Sequence, residues 1–198
     1  TVEDAAILFK ELAGKDSMDS TSSPQASAYN VKELLNPKLE DIKKLKVGIP
    51  EEYFVDGLDK EVGEKVQEVI KAIESLGIKT KKISLPHTKY ALSCYYIIMP
   101  AEVSANLARF DGMRYSRIAD LRGQTQNLIE LYKQQRSKGF GPEAKRRIIL
   151  GTFVLSSGYY DSYYTKAQKT RTLIKNDFLE AFKEVDVILT PVSPTKPF

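Results

Sequence analysis

The sequence predicts an α/β fold that is rich in helix. Two observations lead to this prediction: a strand–helix–strand pattern between residues 46 and 84, and a series of helical patterns that ends in a short strand near residue 189. We expect one region over residues 1–198. It consists of a helix with a surface excursion (1–45), the strand–helix–strand section (46–84), and a helical section that ends in a strand (85–198).

The first section begins with an amphipathic helix. Thr1 is a typical N-cap residue, the apolar residues that follow it have helical spacing as far as Leu12, and Gly14 stands where the helix should end. Residues 15–36 are rich in Ser, Asp, Pro and Thr and have no sustained period. We therefore expect them to run over the surface.

The second section has the pattern of a crossover unit. Residues 46–49 form a short apolar strand closed by Pro50, and Asp59 is expected to cap a helix that stops at Gly77. Residues 78–84 are a second strand. Because strand–helix–strand crossovers are right-handed and parallel, the two strands should be parallel neighbours in a sheet that needs cover on both faces.

The third section is predicted to be mainly helical. We expect a Tyr-rich helix over 87–99, a restart at Pro100 that ends near 111–112, and a short helix over 128–136. A helix opened by Gly141 and Pro142 becomes apolar all round over 148–155, which indicates burial. A long helix follows, with a stripe from Tyr160 to Phe182, and residues 185–189 are a last strand.

Composition excludes several classes of site. Cys94 and His87 are the only residues of their kinds, so neither an intrachain disulfide nor a zinc site of the usual type is possible, and we expect no structural metal and a reducing, cytoplasmic setting. No apolar run reaches the length of a membrane span. The net charge is +4, and the charged residues are scattered along the chain. The lysine runs at 43–46 and 79–82 are expected to be solvated rather than to bind nucleic acid.

Three stretches carry a family resemblance. They are TVEDAA at residues 1–6, PAEVSANLARFDGMRY at 100–115, and the segment 145–174 with its KRRI, GTF and GYYD motifs. Together they resemble the A subunits of tRNA-dependent amidotransferases, in the amidase-signature family. Ser116 replaces the glycine that usually follows Tyr115. The resemblance implies the amidase-signature fold, a mixed sheet flanked by helices, of which this chain would be a helix-rich part.

The resemblance also implies a function. The family's A subunit hydrolyses glutamine and passes the ammonia to a partner subunit, which uses ATP and Mg²⁺ to convert Glu-tRNA(Gln) to Gln-tRNA(Gln). The expected partners are glutamine and the B and C subunits, with tRNA reached only through the complex and no membrane contact. The family's catalytic lysine and two serines match no segment here, so we expect an internal piece, inactive alone, with no catalytic residue or cofactor of its own.

Two alternatives remain open at this point. The chain could belong to a stand-alone amidase acting on another small amide, or be a non-catalytic helical binding module. The match over residues 100–115 favours the A subunit over other amidases, because that stretch is typical of A subunits.

Three residues are candidates for substrate binding. Arg146 and Arg147 lie near a helix start, where a cation has no favourable dipole partner, so a negative group should be close. By family position Arg147 is expected to hold the α-carboxylate of glutamine, for which a guanidinium is suited; the alternative is an ion pair with a local acid such as Glu143. By resemblance Tyr95 lines the glutamine pocket, whereas its apolar surroundings suggest ordinary core packing.

The remaining conspicuous residues favour structural roles. Cys94 is interpreted as an inert buried thiol and His87 as a helix-start residue. The tyrosines of 159–164 have helical spacing, which is more typical of a core than of stacking on RNA. Asp111, Arg114 and Tyr115 are expected to form a polar cluster or a surface for a partner subunit.

Overall fold

The computed structural model describes residues 1–23, 31–54, 56–113 and 127–197, and these residues form two compact units. The first unit runs to Ile83 and resumes at Glu184; it contains the sheet. The second runs from Ser84 to Lys183 and is helical. The helix-rich α/β class that the sequence predicts is confirmed.

The described elements are bounded as follows. The helices are α1 Val2–Leu12, α2 Val31–Leu35, α3 Leu39–Ile42, α4 Lys60–Ser75, α5 Ala91–Leu107, α6 Leu128–Gly139, α7 Pro142–Val154 and α8 Lys166–Ala181. The strands are β1 Lys46–Pro50, β2 Lys79–Ile83 and β3 Val187–Ile188. Short 3₁₀ turns cover Glu51–Tyr53 and Pro86–Tyr90, and a π-helical turn covers Asp161–Thr165.

The three strands form a parallel sheet in the order β2-β1-β3. Lys46 pairs with Lys79 on one side of β1, and Val47 pairs with Val187 on the other. The expected parallel crossover is therefore present, and the last strand joins the same sheet. Gly48 makes close packing possible at the centre, because a Cβ there would lie 2.8 Å from Cδ1 of Ile83.

Helix α4 begins and ends where the sequence predicts. The carboxylate of Asp59 accepts hydrogen bonds from the backbone N–H groups of Glu61 at 2.9 Å and Val62 at 3.3 Å, as an N-cap should. Gly77 has a φ of +84°, the left-handed conformation that glycine adopts after a helix. The cap at Asp59 and the turn at Gly77 therefore fix the two ends of α4, and β2 follows.

The first section holds more helix than the sequence indicates. Thr1 and Asp4 form a capping box at the start of α1, which confirms the predicted cap. The composition of residues 15–36 predicts no regular structure, yet α2 lies within them and packs against α1. A five-residue helix is too short to show a period, which explains the error. Residues 24–30 lie outside the described part of the chain.

Helix α5 contradicts the predicted restart at Pro100. It runs without interruption from Ala91 to Leu107, with Pro100 in its interior and fully buried. A proline in a helix removes one N–H donor and usually costs about 3 kcal/mol. Here α7 packs directly on this turn, since a Cβ at Gly151 would lie 1.9 Å from the carbonyl oxygen of Pro100. We infer that this packing compensates for the lost hydrogen bond.

The predicted burial of residues 148–155 is wrong for most of the segment. Gly151 and Val154 are buried, but Ile149 is 69% exposed and Phe153 is 45% exposed. Helix α7 packs on α5 along one side. Its exposed apolar residues have less cover, although the rings of Tyr159 and Tyr163 lie beside Phe153. Apolar residues favour burial, but they become buried only where another element of the structure packs on them.

A small core links α5 to α8. Cys94, Ile98 and Ala167 are buried together, and Ile97 and Ile174 pack against them. The stripe predicted on the last helix therefore reaches the core in its middle. Its ends do not, because Tyr163 and Phe182 remain 42% and 50% exposed.

The close contact at Gly151 generates a stability prediction. Gly151→Ala should lower the free energy of unfolding by about 1–3 kcal/mol or more, because the new methyl group overlaps Pro100 and Ser104. Thermal unfolding followed by circular dichroism measures the loss. Gly63→Ala in α4 is the matched control: its Cβ would lie at an ordinary 3.4 Å from Leu58, so this change should be neutral or stabilise by up to about 1 kcal/mol. Equal effects of the two changes would contradict the tight helix contact.

Candidate functional site

The candidate site is built on the first two turns of α7. Gly141 is the N-cap and Pro142 occupies the first helical position, where its missing N–H is not needed. Glu143 follows in the first turn, where the helix dipole favours a carboxylate. Arg146 and Arg147 come three and four residues later, so both side chains reach the same side of the helix as Glu143.

Both arginines bind Glu143, but in different ways. Arg146 uses the Nε and Nη2 edge of its guanidinium, at 2.8 Å and 2.7 Å from the two carboxylate oxygens. Arg147 donates to Oε1 of Glu143 from Nε alone, at 2.6 Å. The ion pair that the sequence offered as an alternative is therefore present. It supplies the negative charge that the position of the arginines demanded.

The guanidinium of Arg147 keeps an edge that is nearly free. Its Nη1 approaches Sδ of Met99 on α5 at 3.3 Å, and a thioether is a weak acceptor. Its Nη2 has no hydrogen-bond partner among the described residues. The side chain is only 21% exposed, compared with 55% for Arg146. Arg147 is thus the more buried of the two cations, and it is the one with hydrogen-bond donors that Glu143 does not occupy.

Tyr95 lies one helical turn before Met99 and is 49% exposed. Its ring meets that of Tyr96 edge to face, with centroids 5.4 Å apart. Core packing, the ordinary expectation for Tyr95, does not describe this half-exposed ring. Tyr96 lies near enough to Arg146 to interact with its charge. No hydrogen bond joins Tyr95 to either arginine within the described part of the chain, so its role at a glutamine pocket stays a prediction.

Hydrogen bonds dominate the electrostatics of Glu143. The bonds from Arg146 and then from Arg147 lower the pKa of its carboxyl group from 4.5 to about 2. The same pairing raises the pKa of Arg146. The carboxylate therefore stays ionised well into the acidic range, and the group of three side chains carries one net positive charge.

Cys94 and His87 have structural surroundings. Cys94 is buried, its Sγ donates to the carbonyl oxygen of Ala167 at 3.2 Å, and burial raises the pKa of its thiol. That environment suits the predicted inert thiol. His87 lies in the Pro86–Tyr90 turn, and its Nδ1 and backbone N–H contact the carboxylate of Asp177 at 2.9 Å and 2.8 Å. The sequence did not predict this contact between His87 and α8.

The tyrosines of residues 159–164 form a half-exposed cluster. Tyr159 and Tyr163 surround Phe153, with centroid distances of 4.3 Å and 6.1 Å from its ring. The hydroxyl of Tyr164 donates to the carboxylate of Glu102 at 3.1 Å. Neither full burial nor a flat row of stacking rings is seen, because the rings pack on one another at tilted angles.

Other residues named from the sequence lie away from this site. Asp111 accepts a hydrogen bond from the N–H of Met113 at 2.7 Å and so stabilises a turn. Arg114, Tyr115 and Ser116 lie outside the described residues. Lysines of both short runs pair with acids that are close in space: Lys44 with Asp41, Lys81 with Glu184 and Lys82 with Glu51.

The described residues offer neither a metal cluster nor a membrane span. No three His, Cys, Asp or Glu side chains come together there in the way that a metal ion requires. No helix in the described ranges is long and apolar enough to cross a membrane.

Sequence reasoning missed Met99 as a neighbour of Arg147 and Glu102 as a partner of Tyr164. Met99 carries no distinctive motif, but it lies four residues after Tyr95 and so on the same side of a helix. That spacing was the available signal. It relates Met99 only to Tyr95, whereas the contact with Arg147 spans 48 residues and appears in no local pattern.

The whole chain matches a known family. The Amidase family model covers residues 1–198, and the chain belongs to this family. Among curated proteins, it is 52% identical over 197 residues to a Thermodesulfovibrio yellowstonii protein and 52% identical over 198 residues to one from Bacillus velezensis. Both are named as the A subunit of glutamyl-tRNA(Gln) amidotransferase. The predicted resemblance is confirmed.

The matches cover all of this chain but only 39% of the length of those two proteins. Among solved structures, the glutamyl-tRNA(Gln) amidotransferase A subunit from Thermotoga maritima matches with a TM-score of 0.58 and 33% identity, over 100% of this chain and 36% of that one. A bacterial aryl acylamidase of the amidase-signature family matches with a TM-score of 0.50 and 16% identity, over 99% of this chain and 37% of that one. The second match supports the fold alone.

The hydrogen bonds of Glu143 generate a titration prediction. Since its pKa is depressed in the folded state, the stabilisation from these pairs is complete above pH 4.5 and is lost as the pH falls toward about 2. NMR titration of the side-chain carboxyl should show this low value. Arg146→Ala should raise it more than Arg147→Ala, because the bonds from Arg146 have the larger effect.

Glu184 is the control for this titration. Its pKa is lowered by Lys81, in the other unit, and should not move in either arginine variant. A Glu143 that titrates near 4.5 in the unaltered protein would contradict the geometry described.

Proposed function

We propose that this chain is part of a glutaminase A subunit, which releases ammonia from glutamine for the conversion of Glu-tRNA(Gln) to Gln-tRNA(Gln). The observation that supports this most strongly is an identity of 50–52% along the whole chain to several proteins named as that subunit. Membership of the Amidase family supports the hydrolysis of an amide. The side chain of glutamine ends in such an amide.

Arg147 is the residue that would bind the substrate. Its Nη1 and Nη2 edge presents donors in the planar arrangement that a carboxylate accepts in pairs. Partial burial strengthens such a contact by limiting competition from water. Arg146 is a poorer candidate, because Glu143 already occupies its Nε and Nη2. Tyr95, exposed one turn before Met99, would line the same pocket.

The chemistry itself would come from elsewhere in the assembly. The lysine and serines of the amidase apparatus match no segment of this chain, and its relatives are more than twice as long. We propose that the chain alone does not hydrolyse glutamine, which an ammonia-release assay tests. ATP and Mg²⁺ would serve a partner subunit, with B and C subunits completing the complex. We propose a cytoplasmic location, consistent with a single cysteine.

The role of Arg147 generates a kinetic prediction. In the full-length protein within its complex, Arg147→Ala should raise the KM for glutamine about 10- to 100-fold, since charge-assisted hydrogen bonds contribute about 1.5–3 kcal/mol. The contact forms in both ground and transition states, so kcat should change less. Arg147→Lys should rescue poorly, because a single ammonium cannot reproduce the planar pair of donors.

Two comparisons make this prediction specific. Amidation driven by free ammonium bypasses the glutamine pocket and should be nearly unchanged in Arg147→Ala. Equal damage to the glutamine-driven and ammonium-driven reactions would assign Arg147 a structural role. Arg146→Ala is the matched control one residue away; a larger glutamine-specific defect there would move the carboxylate site to Arg146.

A further inference from the structure

Glu143 is the acid that the two arginines share, and it contacts them asymmetrically. Both of its oxygens bind Arg146, whereas Arg147 reaches only Oε1 through Nε. Glu143 therefore occupies the side of the Arg147 guanidinium that faces the start of α7. The opposite edge, formed by Nη1 and Nη2, is left for another acceptor.

The same contacts make the two arginines differ in their availability to an anion. Without an acid between them, adjacent guanidinium groups would repel each other and would both be available to an anion. Glu143 neutralises one of the two positive charges and binds the paired donors of Arg146. One cation with one open edge remains.

The orientation of Arg147 depends on few other contacts. Its remaining polar contact among the described residues is that of Nη1 with Sδ of Met99 at 3.3 Å, and a thioether is a weak acceptor. This orientation should weaken when the acceptor loses its charge, because a charge-assisted hydrogen bond is roughly twice as strong as a neutral one. Glu143 itself stays ionised, because its pKa lies near 2.

We propose that Glu143 is a positioning residue: it orients Arg147 so that its Nη1 and Nη2 edge faces the carboxylate of the substrate, and it withdraws Arg146 from that role. This inference rests on the proposed function, in which Arg147 binds the α-carboxylate of glutamine. It differs from a competitive role, in which Glu143 would occupy the edge that the substrate needs. The observed bond to Nε leaves that edge open.

The test is Glu143→Gln in the full-length protein within its complex, with ammonia release measured against glutamine concentration. The KM should rise about 2- to 10-fold, the range expected when one long side chain must be immobilised during binding rather than before it. The value of kcat should change little. In the Arg147→Ala background, Glu143→Gln should have no further effect on KM, since the side chain that it positions is absent.

A substrate without the α-carboxylate separates positioning from general damage. With 4-aminobutanamide, which keeps the amide but lacks that group, Glu143→Gln should leave kcat/KM unchanged. Glu180→Gln is the matched control, because Glu180 is an exposed helical acid paired with Lys183 three residues away. It should alter neither substrate's kinetics.

The outcomes distinguish this inference from the proposed function. If Arg147→Ala shows the glutamine-specific defect but Glu143→Gln leaves KM unchanged or lowers it, the positioning role is overturned and the proposed function stands. An equal loss with 4-aminobutanamide also overturns it, since it would show a merely structural effect. If Arg147→Ala itself lacks the defect, the carboxylate site proposed at Arg147 is wrong, and the inference fails with it.

Discussion

The close approach of α7 to α5 is the constraint on which the candidate site depends. Gly151 lies where any side chain would collide with the carbonyl group of Pro100, so the two helix backbones are nearly in contact. Arg147 lies one turn before Gly151, and this proximity brings its guanidinium to Met99. A side chain at Gly151 would push the helices apart and change the surroundings of Arg147. The same contact packs α7 against the turn of α5 that contains Pro100.

Local signals in the sequence were sufficient for the strand–helix–strand section. The cap at Asp59, the left-handed Gly77 and the short apolar strands act through neighbouring residues, so they appear in the sequence without knowledge of the fold. Pro100 shows the limit of this reasoning. It lies within α5, and the turn that contains it packs on Gly151, which lies 51 residues further along the chain. No local pattern contains that contact.

At the candidate site the sequence offers two partners for the arginines, Glu143 and a substrate carboxylate. The structure shows the first, and the second stays a proposal. A guanidinium has more than one donor edge, so Arg147 can bind Glu143 through Nε and still offer Nη1 and Nη2 to a ligand. Spacing on a helix predicts the pair with Glu143. It does not predict which arginine binds Glu143 through a pair of donors. That depends on side-chain conformations, which differ between these two adjacent residues. The half-exposed position of Tyr95 was equally beyond the sequence pattern.

The most direct test of this account is a crystal structure of the full-length protein with glutamine bound. The α-carboxylate should lie about 2.7–2.9 Å from Nη1 and Nη2 of Arg147, the distance of a charge-assisted hydrogen bond. Glu143 should keep its bond to Nε, and Arg146 should stay paired with Glu143. A carboxylate bound at another cation, or one that displaces Glu143 from Arg147, would contradict the account.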